Sequence, residues 1–352
     1  MRKKIFYFLS GIALAIGATS ADAQSASVAS IPEGMITFSL VHGSTSYLSL
    51  PLINNETYTG SITAVTTNTI SVGDTPAPFT TTLLTAGSPY FVKFLSGNEM
   101  GRVMLITANT TSALTLDTTD HTSGSPVLLT TTGFTVQVGD TFEIFPGDTL
   151  ASVFGAGTTA SPLVLTGGAN IVNSDTITLY TVTIAPAVTY FFNTTAGYWE
   201  QYGMTANANN TIIYPYSALM VTRRSSNPNT TFVVGGRVTP VAAAIKVASN
   251  ATTYSSTHYA SDITLSQLQF GSNWVTGTSV ISADTLSVWN VTENRFDTFY
   301  QKPDSTWRKY PDAVTDQSNF AIAAGTVTTI AKREMVSGAA TFLQPPLPYS
   351  LD

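Results

Sequence analysis

Two stretches of this chain describe the same local structure. Thr189–Tyr202 (TYFFNTTAGYWEQY) and Thr298–Tyr310 (TFYQKPDSTWRKY) each run from an aromatic strand through a polar turn. Each then enters a second strand that carries Trp, with Tyr three residues on. The likeness extends further. Asp175–Tyr180 aligns with Asp284–Trp289 at an offset of 109, Trp199 and Tyr202 with Trp307 and Tyr310 at 108, and Val221–Arg224 with Ile330–Arg333 at 109. Three blocks in one order at nearly one offset define a duplicated unit. Each copy is long enough for a small β domain or half of a sandwich.

In the second hairpin strand, alternation puts Trp199 and Gln201 on one face and Tyr198, Glu200 and Tyr202 on the other. Glu200 and Gln201 become Arg308 and Lys309 in the second copy while Trp and Tyr persist, which predicts solvent at the changing positions. Trp199, Tyr202, Trp307 and Tyr310 are the candidate binding residues, as stacking platforms for a sugar ring. The favoured alternative is a core role, each Trp packed at a hairpin base with its N–H bonded to a carbonyl. The basic pairs Arg223-Arg224 and Lys332-Arg333 could hold an anion. The favoured reading makes them charges that keep edge strands from pairing with other chains.

Upstream, strand signals cover Met35–Val41, Ser46–Leu52, a meander over Gly60–Asp117, and the pair Phe134–Val138 and Thr141–Phe145. Gly-Asp-Thr recurs at Gly73, Gly139 and Gly147, and turn formation by the Asp carboxylate accounts for it without a calcium site. Asp148–Gly155 predicts a short helix with Asp148 as N-cap, Leu150, Val153 and Phe154 on one face, and Gly155 ending it. Taken as a hinge, it divides the chain into a leader over 1–23, an N-terminal β domain over 24–147, a first β unit over 148–245 and a second over 246–352 with a proline-rich tail. The expected fold is all-β with very little helix. An N-terminal meander or barrel-like domain precedes a duplicated sandwich-like region. Asp262–Gly271 reads either as a strand or as a short helix with Leu265, Leu268 and Phe270 inward.

Composition sets the compartment and excludes some partners. The basic Met1–Lys4, the apolar Ile5–Ile16 and the small-x-small Ala21–Ala23 read as an export signal, the apolar run being too short for a bilayer span. The expected location is extracellular, cell-surface or periplasmic, with no transmembrane segment left after cleavage. The chain has no Cys, which excludes disulfides and a Cys-borne lipid anchor. Charged residues make up 10% of the chain, against about 25% in ordinary domains. Removing the leader's three basic and one acidic residue from the 15 and 21 in the whole chain leaves 12 and 20, a net charge of −8. Nucleic acid is excluded as a partner, since it would require a basic surface.

Motifs of chemistry are missing. His42, His121 and His258 show no metal-ligand spacing, and no nucleophile elbow, Walker loop or dinucleotide fingerprint occurs. No catalytic residue, metal or cofactor is therefore assigned. Glu143, Asp148, Glu200, Asp284 and Glu293 are available to a glycosidase, yet no spacing selects a pair.

The run Gly139–Gly155, the two Trp hairpins, the segment Ser96–Asn109 and the closing Pro346–Tyr349 resemble an uncharacterised family of exported, β-rich bacterial proteins. The resemblance implies export and architecture and carries no assigned activity. The expected role is structural or adhesive, at the cell envelope or in the extracellular matrix. Polysaccharide or other envelope components are the expected partners, and self-association is left open. The alternative is a secreted polysaccharide-active enzyme using carboxylates in an aromatic-lined groove.

Overall fold

The computed structural model describes residues 32–81, 83–84, 88–119, 128–131, 134–180, 187–248, 252–333 and 340–350. The leader and His121 lie outside them. Strands take 42% of the residues and helix 5%, so the fold is all-β. In chain order the strands begin with β1 (Glu33–Leu40) and β2 (Thr45–Ser49). There follow β3 (Tyr58–Ser61), β4 (Ala64–Val65), β5 (Thr69–Ser71), β6 (Tyr90–Phe94), β7 (Val103–Asn109), β8 (Ala113–Leu116), β9 (Thr130–Thr131), β10 (Phe134–Thr135) and β11 (Thr141–Pro146). Next come β12 (Asp148–Thr149), the helix α1 (Leu150–Phe154), β13 (Thr176–Tyr180), β14 (Val188–Asn193), β15 (Tyr198–Gln201), β16 (Ile212–Ile213), β17 (Ala218–Thr222) and β18 (Thr230–Arg237). The last group is β19 (Ile245–Ala248), β20 (Thr252–Ser256), β21 (Ile263–Thr264), β22 (Thr285–Asn290), β23 (Arg295–Gln301), β24 (Trp307–Lys309), β25 (Ala321–Ile322), β26 (Val327–Ala331) and β27 (Ala340–Leu343).

The duplication is visible strand for strand. One five-stranded sheet has the order β15-β14-β13-β17-β2, the other β24-β23-β22-β26-β20. Alternating apolar residues turn one face of each sheet toward a covering ribbon, β1 with β18 in the first unit and β19 with β27 in the second. Leu40, Leu48, Ile177, Trp199, Leu219 and Phe232 close the first core, and Val247, Leu286, Phe299, Trp307, Ile330 and Leu343 the second.

Smaller features repeat as well. The ribbons β12–β16 and β21–β25 each lead into a capping box, Thr149 with Ser152 and Thr264 with Gln267. The N-cap of α1 is thus Thr149 and not Asp148, whose carboxylate accepts from Asn54 and Ser152. Nor is α1 a hinge. Leu150 and Phe154 are buried in the first core. Asp262–Gly271 resolves into β21 and a 3-10 turn over Leu265–Gln267, with Leu265, Leu268 and Phe270 inward.

The boundary expected at 147/148 cuts through a unit. β1 and β2 belong with residues 148–237, since β1 pairs along its whole length with β18 and β2 with β17. Residues 54–147 are an insertion between β2 and β12, where the second unit needs only the short link from Ser256 to Ile263. The insertion is a curled sheet of order β3-β11-β6-β7-β8-β5-β4 around Ile70, Val92, Phe94, Ile106, Leu114 and Phe142. Its β6–β7 turn approaches the segment joining the two units so closely that a Cβ at Gly101, φ 83°, would lie 2.0 Å from the Ala242 carbonyl oxygen.

The two units meet reciprocally. Tyr47 of β2 packs against Trp289 of β22 at 4.5 Å, and Tyr254 of β20 stacks on Tyr180 of β13 at 4.3 Å. Tyr47 and Tyr254 hold equivalent positions, being paired with Met220 and Thr329, and Tyr180 and Trp289 stand at the 109-residue offset. Each unit therefore lends the same pair of positions to the other, the self-complementary geometry of a two-fold interface. No helix among the described residues is long and apolar enough to cross a membrane.

Candidate functional site

The Trp hairpins are core. Trp199 and Trp307 are both 0% exposed, so neither ring can serve as a stacking platform. Trp199 Nε1–H donates to the Gly155 carbonyl at 2.7 Å, while Trp307 Nε1 has no hydrogen-bond partner among the described residues. Tyr202 and Tyr310 stand at 64% and 58% exposure, separated from the Trp faces by strand alternation. Glu200, expected in solvent, is buried and receives the Asn193 side-chain amide at 3.0 Å.

The basic pairs are not edge guards either. β17 lies between β13 and β2, and β26 between β22 and β20, so both strands are internal. Arg223 forms a sealed ion pair with Asp175 at 3.2 Å, and Lys332 with Asp284. The Asp carboxylates also accept backbone N–H groups at matching positions: Thr166 and Arg224 in the first unit at 2.8 and 2.9 Å, Val275 and Arg333 in the second at 2.8 and 2.7 Å. Two of the repeated sequence blocks are therefore the two halves of one buried contact. In a sequence this poor in charge, the repeated charges hold the units together internally.

The remaining carboxylates considered for glycoside chemistry are also held in local contacts. Glu143 pairs with Arg237 at 2.8 Å, Asp148 with Asn54 and Ser152, and Glu293 with Arg295.

A cleft of about 140 Å³ opens where the insertion and both units meet. The insertion supplies Gly101–Leu105 and Asp117–Thr119, the first unit Tyr214–Ser217, and the second unit Ala244, Lys246, Ser255 and His258. Its floor is a layered contact. The His258 and Tyr216 rings stack at 4.3 Å and 12°, and Lys93 Nζ donates to Tyr216 Oη at 3.0 Å and to Thr239 Oγ1. Lys93 faces Glu143 across the β6–β11 ladder, and Glu143 in turn meets Arg237. One chain of contacts thus joins all three modules beneath the cleft.

Tyr216 and His258 both adopt left-handed backbone, φ 65° and 64°. Conformations of that kind cost on the order of 1–3 kcal/mol outside glycine and persist where the surroundings over-determine them. The duplicate shows the cheaper solution: the position equivalent to Tyr216 is Gly325, φ 76°. Across this stretch Tyr214-Pro-Tyr-Ser217 replaces Ala323-Ala-Gly-Thr326, so the units diverge where one of them lines the cleft.

Burial sets the protonation states here. Desolvation, then the Lys93 ammonium, lowers His258 to about 3, and desolvation opposed by Glu143 lowers Lys93 to about 7. Burial pushes the Glu143 carboxyl up, against the pull of Arg237. His258 Nε2 lies 3.2 Å from Ser255 Oγ, while Nδ1 is buried with no hydrogen-bond partner among the described residues. A nucleophilic Ser–His pair requires an imidazole basic enough to take the hydroxyl proton, with its other nitrogen oriented by an acceptor. His258 meets neither requirement.

Sequence reasoning missed this cleft because its residues come from separate segments that carry no motif. The signal that could have found it is the local divergence between the copies at Tyr214–Ser217. Comparison with protein-family models, curated proteins and solved structures finds no match to this chain.

Proposed function

We propose that the protein is an exported, non-enzymatic component of the cell envelope or extracellular matrix with a structural or adhesive role, and that the three-way cleft is its binding element. The observation that carries this reading is the placement of charge. Arg223, Arg237, Lys332 and Lys93 are buried with carboxylate partners or neighbours Asp175, Glu143 and Asp284, so much of the chain's sparse positive charge is spent inside the fold. The remaining surface is net acidic, so it disfavours polyanions and leaves shape and hydrogen bonding to select a partner. The five candidate carboxylates are committed to local contacts, and His258 is too weak a base for the serine beside it. Both points weigh against the hydrolytic alternative. Glycan-array and pull-down assays on the purified protein test the proposal. Retention by a glycan, an envelope fraction or matrix is expected; absence of retention on all three, or turnover of a polysaccharide, would overturn it.

A further inference from the structure

Both Trp hairpins have their outer edges closed by the chain that follows them. The Ala208 N–H donates to the Trp199 carbonyl at 2.7 Å beside β15, and the Gln317 N–H to the Trp307 carbonyl at 2.9 Å beside β24. β1 has no such cover. It pairs with β18 along its whole length and, among the described residues, with no strand on its other side. It also lacks the features that usually guard an open edge: its register runs without a bulge, and Gly34–Leu40 contains neither charge nor proline. Its counterpart in the second unit, β19, is four residues long against eight and contains Lys246.

The β1–β18 ladder defines which groups are left over. The Val238 N–H donates to the Pro32 carbonyl at 3.1 Å, while Arg237, opposite Glu33, exchanges both backbone bonds with Ile53 on the far side of β18. By the alternation of an antiparallel ladder, the even-numbered residues of β1 bond to β18. The N–H and C=O groups of Met35, Thr37 and Ser39 therefore point out of the open edge, with no partner among the described residues. On the core face Leu40 is sealed, but Ile36 and Phe38 are only half-buried. On the outer face Met35 and Val233, the latter opposite Thr37, are 79% and 56% exposed.

A second copy of β1 complements all of this. Antiparallel pairing about a two-fold axis through Thr37 sets Thr37 against Thr37 and Met35 against the partner's Ser39, so the outward groups bond to each other. The same register lays Ile36 beside the partner's Phe38 on the core face, which covers the half-buried flank. Glu33 falls opposite the partner's Val41, and no like charges meet along the seam. We infer that β1 is a self-association edge, through which two copies join their β1–β18 ribbons into one continuous four-stranded sheet. The inference is independent of what the cleft binds.

Sedimentation velocity on the purified protein, from micromolar to millimolar concentration, is expected to show a monomer–dimer equilibrium. Thr37→Lys and Thr37→Glu each place like charges at the axis. Each is expected to halve the mass at concentrations where the parent is dimeric. Both should retain the thermal unfolding midpoint, because the Thr37 side chain is exposed and its backbone groups do not serve the β18 ladder. Mixing the two variants is expected to restore the dimer. The chain has no Cys, so Thr37→Cys supplies a single thiol per copy at the axis and should form a disulfide-linked pair on oxidation. Val233→Cys, exposed on the same ribbon but one strand away from the axis, should not. A parent protein that stays monomeric throughout, or a dimer that survives both charged variants, would overturn the inference. So would a ladder of larger assemblies in place of a closed pair, or equal cross-linking of the two thiol variants.

Discussion

The carboxylate of Asp175 sits 3.2 Å from the guanidinium of Arg223, with both side chains sealed from water, and Asp284 with Lys332 repeats the arrangement 109 residues later. Removing one member leaves a buried charge unpaired. Lys332→Met is therefore expected to destabilise the protein by about 3–5 kcal/mol. The double variant Asp284→Leu/Lys332→Met should cost less than the two singles summed, though it leaves the Val275 and Arg333 amides without their acceptor. Urea denaturation of the four proteins measures the difference. A loss under about 1 kcal/mol for Lys332→Met would show that the pair is not sealed as described.

The hairpin aromatics should separate by face. Trp199→Ala or Trp307→Ala removes a fully buried ring and is expected to cost about 3–5 kcal/mol. Tyr202→Ala and Tyr310→Ala should stay within about 0.5 kcal/mol, as exposed substitutions do. Equal effects in a thermal-denaturation series would contradict the core assignment.

At the left-handed position each copy should lose stability when its own residue is replaced, for different reasons. Gly325→Ala places a Cβ 2.9 Å from the Phe38 ring in a backbone that disfavours it, and should destabilise by about 1–2 kcal/mol. Tyr216→Gly relieves the same strain, yet it removes the His258 stack and the Lys93 contact, so a net loss is expected. A stabilised Tyr216→Gly would mean that the stack contributes less than the strain.

Acid should loosen the junction through His258. The unfolded chain takes up this proton near pH 6.5 and the folded chain only near 3, so folding stability falls as pH drops through that window, by about 1.4 kcal/mol per unit. Lys93 gives a second window. Its proton leaves the folded state near pH 7 and the unfolded state near 10.5, so stability rises with pH between those values. Unfolding free energies measured across the acid window should have a flatter slope in His258→Gln than in the parent protein. Parallel slopes would place the acid sensitivity elsewhere.

The repeat was legible because Asp175–Tyr180, the Trp hairpins and the basic pairs each satisfy the same local requirement twice. That Asp175 meets Arg223 was not legible, because pairing depends on β13 and β17 being neighbours, and strand order is a long-range property. The discontinuity of the first unit was hidden for a similar reason. β2 and β20 share Thr, Tyr and Ser at alternate positions, a match of five residues too short to stand out, and a seven-strand sheet intervenes before the next recognisable block. Asp148 has the side chain of an N-cap, but the adjacent Thr149 won through its reciprocal bonds with Ser152.

The insertion has a consequence for dissection of the molecule. It leaves and re-enters the first unit at neighbouring points: Asn54 donates to the Pro146 carbonyl at 3.0 Å, and Tyr58 pairs with Ile144 across β3 and β11. The link Thr257–Asp262 of the second unit is therefore a ready template for excising the insertion. Excision would strand Arg237 above all, since its carboxylate partners Glu56 and Glu143 leave with the insertion, and Tyr216 and Asp148 would lose their contacts with Lys93 and Asn54. Coupled with an apolar replacement of Arg237, the shortened chain would keep two complete cores and their reciprocal aromatic contact. It would also lack one wall of the cleft, so its comparison with the parent protein separates what the duplicated scaffold does from what the insertion adds.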